Sequence, residues 1–133
     1  MLQDDLNKIE KELGIKLPNG YKEVMLNYPF SSTQYSNVQE SLSDNPENLI
    51  NLNLFYREHG YKGKVFPEYF FIIGTTGNNG IYFIDLRRDD ETIYSIDNDT
   101  KYNPKSIQKE KLRGNFDGFI KLKKVLQNIL NNP

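Results

Sequence analysis

Apolar residues in the first thirty positions fall on two helical stripes separated by a short joint. Leu2, Leu6, Ile9 and Leu13 recur at alternating four- and three-residue gaps, which places them on one face of a first helix. Gly14 follows, where a left-handed cap is least strained, so the helix is predicted to stop at Leu13. Leu17-Pro18 then reopens helix, with proline near the first helical position, where its missing N–H costs nothing. Tyr21, Val24, Met25 and Tyr28 form the second stripe, and Tyr21 is expected to be largely buried.

Residues 31–47 are rich in Ser, Asn, Asp and Gln and read as a loop, with a short strand near 35–38. Pro46-Glu47-Asn48 opens a helix carrying Leu49, Leu52 and Tyr56 and ending near His59-Gly60. From Tyr69 to Ile73 the chain is continuously apolar, aromatic and β-branched, the signature of a short strand covered on both faces. Turn-forming residues separate it from strands over 81–86 and 92–96, which gives an antiparallel meander. A last helix is predicted from Asn115, with Phe116, Phe119, Ile120, Val125, Leu126, Ile129 and Leu130 spaced to pack against a sheet. Helices at the ends and strands in the middle imply an α+β domain, and 133 residues suit a single domain over 1–133.

Composition narrows the setting. Cysteine is absent, which removes disulfides and thiolate metal sites. No apolar run approaches the roughly 20 residues of a membrane helix, and Asp4, Asp5, Lys8 and Glu10 interrupt any secretory core, so a cytoplasmic location is expected. The net charge of −1 is unevenly placed: residues 1–100 hold 9 Lys/Arg and 16 Asp/Glu, and residues 101–133 hold 8 and 2, matching the totals of 17 and 18. Either two faces of opposite sign result, or a solvated helix and strand happen to be basic.

Candidate chemistry is sparse. The glycine loop 74–80 lacks the Gly-Lys-Ser/Thr ending of a phosphate cradle and leads into a strand, so it reads as a hairpin turn. His59 is the single histidine, and it suits a helix C-terminus beside Gly60 better than catalysis, since no G-x-S-x-G nucleophile elbow accompanies it. Asp85, Asp89, Asp90, Glu91, Asp97 and Asp99 crowd one hairpin and the strand end after it. Convergent carboxylates hold Mg²⁺ or Ca²⁺, but Asp97-Asn98-Asp99-Thr100 lacks the glycine and distal glutamate of a calcium loop. A solvated acidic turn or an acidic docking surface remain the two main readings, with no metal and no cofactor expected. Nine tyrosines and eight phenylalanines would serve as base-stacking platforms only among basic residues, and around Tyr82 and Tyr94 the neighbours are mainly acidic.

The pattern E-x-x-L-G-x-x-L-P-x-x-Y-x-x-x-x-L, running from Glu10 through Leu17, Pro18 and Tyr21 to Leu26, resembles the N-terminal signature of the SUKH superfamily, which includes fungal cell-wall regulators and bacterial immunity proteins. Residues 69–97 resemble the family's central strands, and N-F-D-G-F-I at Phe116 and Phe119 resembles its closing helix. The likeness thins over 28–66: an Asn-Gly pair after the second helix and a Gly-Asp pair opening the second core strand are replaced by Asn27-Tyr28-Pro29 and Gly80-Ile81. The resemblance implies a binding module without catalysis, in small bacterial members an immunity protein that occludes a cognate toxin, often a nuclease. Its partner would be a basic nuclease domain, met by Asp89, Asp90, Glu91, Asp97 and Asp99 with Tyr82 and Tyr94. A regulatory scaffold that binds other host proteins is the alternative the family offers. An enzyme or nucleic-acid binder using the basic stretch 101–113 is the alternative from another class.

Overall fold

The joint between the first two helices forms as its sequence dictates. Helix α1, Gln3–Leu13, ends at Gly14 in the left-handed region with φ 64°. The N–H groups of Gly14 and Ile15 both return to the carbonyl of Glu10, one of those in the last turn of the helix. Glu10 acts twice, because its Oε2 also accepts the Leu17 N–H at 2.8 Å and lies 3.5 Å from Lys22 Nζ. Helix α2, Asn19–Leu26, starts from the Pro18 carbonyl, which accepts the Lys22 N–H. Leu6, Ile9, Leu13, Leu17, Tyr21, Val24 and Met25 are all buried. Leu2 departs from the predicted stripe: it precedes the first helical turn, its N–H bonds to Asp5 Oδ2, and its side chain is 73% exposed.

The structure, a computed structural model, describes residues 1–26, 42–75, 80–88, 92–97, 99 and 101–105. Tyr28, the strand expected near 35–38 and the final helix expected from Asn115 lie outside the described residues.

Helix α3, Pro46–His59, has Asn45 as its cap, with Oδ1 accepting the Asn48 N–H, and proline at its start. It runs in the same general direction as α1: Lys8, midway along α1, pairs with Glu47 in the first turn of α3, and Arg57 Nη1, in the last turn of α3, donates to the carbonyl of Leu13, the last residue of α1, at 2.9 Å. Burial lowers the pKa of Arg57, yet its charge sits where a helix C-terminus favours a cation.

Strands β1 (Phe70–Thr75), β2 (Ile81–Asp85) and β3 (Tyr94–Ile96) pair antiparallel in that order, as the short connections predicted. Register pairs Phe71 with Ile84, Ile72 with Phe83, Phe83 with Tyr94 and Tyr82 with Ser95, with a shift between Ile72 and Gly74. Alternation along the strands separates two cores. Phe71, Ile73 and Ile84 join Ile93 and the residues of α1, α2 and α3 in a mainly aliphatic cluster. Phe70, Ile72, Ile81, Phe83, Tyr94 and Ile96 join Tyr61, Phe66 and Tyr102 in an aromatic cluster on the other face. The domain is α+β.

Helix α3 straddles the outer edge of β1. Its Leu49 and Ile50 enter the aliphatic cluster, and its Leu52 and Tyr56 pack against the aromatic one. Between them Asn53, fully buried, meets the strand's backbone with its amide: Oδ1 accepts the Ile72 N–H at 2.8 Å, and Nδ2 donates to the Ile72 carbonyl at 3.1 Å and to the Leu49 carbonyl at 2.8 Å. Ser43 N–H bonds to the next carbonyl, that of Ile73. One polar side chain in an apolar stripe thus satisfies an edge that would otherwise present open backbone groups.

Candidate partner-binding surface

The hairpin end nearest the predicted acidic turn is built on Asp85, the last residue of β2. Its carboxylate is almost fully covered, a position that an isolated charge would make costly. Arg87 supplies the compensation: its backbone N–H and Nε both donate to Oδ1, at 3.0 and 3.1 Å, and Nη2 donates to Oδ2 at 2.9 Å. The guanidinium also lies 3.9 Å from the centre of the Tyr69 ring. Its hydrogen bonds to Asp85 raise the Arg87 pKa further above its ordinary value. The Arg88 N–H returns to the Asp85 carbonyl, so Asp85 to Arg88 forms one tight turn. Asp85 is therefore an internally neutralised support for the segment that follows it. A carboxylate two residues before an arginine is the sequence signal for this arrangement.

Asp89, Asp90 and Glu91 lie outside the described residues. Asp97 follows β3 directly, and its Oδ1 accepts the Asp99 N–H at 2.8 Å, a local turn that holds the two acids together. The two predicted aromatic partners do not converge. Tyr82 is half-buried on the helix-covered side of the sheet, whereas Tyr94 is 1% exposed within the aromatic cluster on the opposite side. Tyr94 stacks on Phe83, with ring centres 5.6 Å apart, and its contribution is to the interior of the sheet.

His59 closes α3, as its sequence position predicted, with its exposed ring 4.5 Å from Phe55 and Nε2 3.8 Å from Glu58 Oε2. Among the described residues no three His, Cys, Asp or Glu side chains come together as a metal set, and no helix is long and apolar enough to cross a membrane.

Sequence reasoning missed a second surface element. Residues 61–64 make a two-residue hairpin: Tyr61 and Lys64 exchange backbone hydrogen bonds of 2.8 and 3.0 Å, and Lys62 and Gly63 both take positive φ, 51° and 74°. Gly60 before it is required, since a Cβ there would lie 2.4 Å from the Lys64 carbonyl oxygen. Tyr61 packs edge-on against Tyr102 at 5.7 Å, and Tyr102 Oη donates to the Val65 carbonyl at 2.8 Å. Burial, with smaller contributions from Tyr56 and the Asp97 charge, pushes the Tyr61 hydroxyl up to about 12, and burial raises that of Tyr102 as well.

No curated protein and no solved structure matches the chain. The SUKH family model described as SMI1-KNR4 cell-wall matches residues 3–120, a span that contains the Glu10–Leu17–Lys22 joint and all three strands. The chain therefore belongs to the SUKH superfamily.

Proposed function

We propose that this chain is a non-catalytic immunity protein, which binds a cognate bacterial toxin, a basic nuclease domain, and neutralises it by covering its active cleft. Membership of a superfamily that includes immunity proteins carries the reading. Two observations accompany it. Between Asp89 and Asp99 the sequence holds five carboxylates and no Lys or Arg, a charge pattern suited to a basic cleft. The neighbouring Asp85 is already matched by Arg87, so binding at its end of the sheet would rest on Asp89, Asp90 and Glu91, while Asp97 and Asp99 follow the far end of β3, with Tyr82 half-buried on one face and Tyr94 acting only from inside the sheet. A regulatory scaffold is the second reading, favoured by the cell-wall description of the matching family.

The test is co-expression with a toxin domain encoded beside this chain's gene. Survival of cells that express both, and death of cells that express the toxin alone, supports immunity. Absence of protection against any adjacent toxin domain removes the immunity reading, and cleavage of nucleic acid by the purified chain alone removes the non-catalytic one.

A further inference from the structure

The Tyr61–Tyr102 contact and the Tyr102–Val65 hydrogen bond join two segments about forty positions apart in the sequence, and both segments carry lysines. Lys62 and Lys64 stand on the hairpin, and Lys101 and Lys105 flank Tyr102; all four are exposed. Val65 follows Lys64, and its side chain is 71% exposed although its carbonyl accepts the Tyr102 hydroxyl. The platform is held in shape by the positive-φ hairpin, by Gly60 and by the buried Tyr61 and Tyr102 rings. A surface shaped before binding loses less freedom when a partner docks.

We propose that residues 60–66 and 101–105 together form a docking surface for an acidic protein segment, with Val65 as its apolar contact and Lys62, Lys64, Lys101 and Lys105 as its charged rim. A protein suits it better than a nucleic acid. Tyr61 and Tyr102 are buried, so this surface offers no ring on which a base could stack. Asp97 lies close enough for its charge to act on the Tyr61 hydroxyl. A phosphate backbone gains nothing from the exposed Val65 side chain, on which an apolar side chain of a protein segment can pack. The surface borders Asp97, one of the acids of the proposed toxin contact, but its lysines and Val65 are no part of that contact, and its test does not depend on that reading.

Fluorescence anisotropy with a labelled peptide of alternating glutamate and leucine tests it, against an oligodeoxythymidine of equal charge. The chain as a whole carries −1, so it has no general attraction for polyanions. The peptide is expected to bind the parent and to weaken as salt rises from about 0.05 M to about 0.3 M. The variant Lys62→Glu/Lys64→Glu/Lys101→Glu/Lys105→Glu should bind it at least about tenfold more weakly. The milder Lys101→Gln/Lys105→Gln variant should show a smaller loss in the same direction, and it decides the matter if the fourfold variant does not fold. Absence of peptide binding to the parent, or equal binding by a folded variant, overturns the proposal. Tighter binding of the oligonucleotide also overturns it and makes the surface a nucleic-acid site.

Discussion

The two faces of the sheet are built from different materials and by different routes. On one face α1, α2 and α3 lay aliphatic side chains over Phe71, Ile73, Ile84 and Ile93. On the other, a loop and a short extended segment bring Tyr61, Phe66 and Tyr102 onto Phe70, Phe83 and Tyr94, with ring centres of neighbouring pairs 4.9 to 6.1 Å apart. Helices cover a sheet through periodic stripes of flexible aliphatic side chains. Short irregular segments have no stripe to offer, so each must bury much area from a single position, and large rings do this. The contrast places regular helices on one side and irregular segments on the other, and both clusters join residues far apart in the chain. Asn53 sits at the boundary, where α3 passes from one cluster to the other.

Breaking that boundary should have the largest effect. Asn53→Leu keeps the volume close but leaves the Ile72 N–H and C=O buried and unpaired, at about 1–3 kcal/mol each. A loss of about 2–6 kcal/mol in urea unfolding is expected, and a loss below about 1 kcal/mol would show that water or a backbone shift replaces the amide. Next comes the helical side alone. Leu17→Ala, at the joint held by Glu10, should cost about 2–5 kcal/mol. Unchanged stability with loss of partner binding would instead make Leu17 a contact residue.

Buried phenols on both sides of the sheet give the fold a distinctive pH dependence. The buried phenols of Tyr61, Tyr102 and Tyr21 hold their protons more tightly in the folded chain than in the unfolded one, where they titrate near pH 10. The folded state therefore binds more protons through this range, and the stability these groups contribute is complete below about pH 10 and declines as pH rises towards 12. Urea midpoints measured from pH 8 upward should fall on the alkaline side, and Tyr61→Phe should flatten that fall. The smallest of these effects is Tyr102→Phe, which removes only the bond to the Val65 carbonyl and should cost about 0.5–1.5 kcal/mol, read by thermal unfolding.

Legibility in the sequence follows the same division. Helix α1 was readable to its last residue, because the three- and four-residue spacing of Leu6, Ile9 and Leu13 and the glycine after them are local signals. The strands were readable as existing elements, and the short turns dictated antiparallel order, although β3 begins two residues later than the pattern of 92–96 suggested. Asn53 was not readable, since a lone polar residue in an amphipathic helix ordinarily faces water. The grouping of Tyr82 with Tyr94 failed because sequence proximity ignores the pleat: Tyr82 pairs with Ser95 and Tyr94 with Phe83, so the two tyrosines face opposite sides. The lysine surface depends on a tyrosine pair far apart in the chain, which no local pattern encodes. Charge asymmetry pointed towards its basic half, and the fold supplied Lys62 and Lys64.

The central functional claim is that protein binding runs through the acidic segment between β2 and β3 and the acids just after β3. Its most direct test is the association rate of the parent and of Asp89→Lys/Asp90→Lys/Glu91→Lys with the cognate toxin domain, measured at low salt on chains shown to be equally folded. The account predicts an association at least about tenfold slower for the triple variant, a gap that narrows as salt screens charges beyond roughly 10 Å near 0.1 M, and loss of protection in cells. Equal association rates and full protection by the triple variant would contradict it.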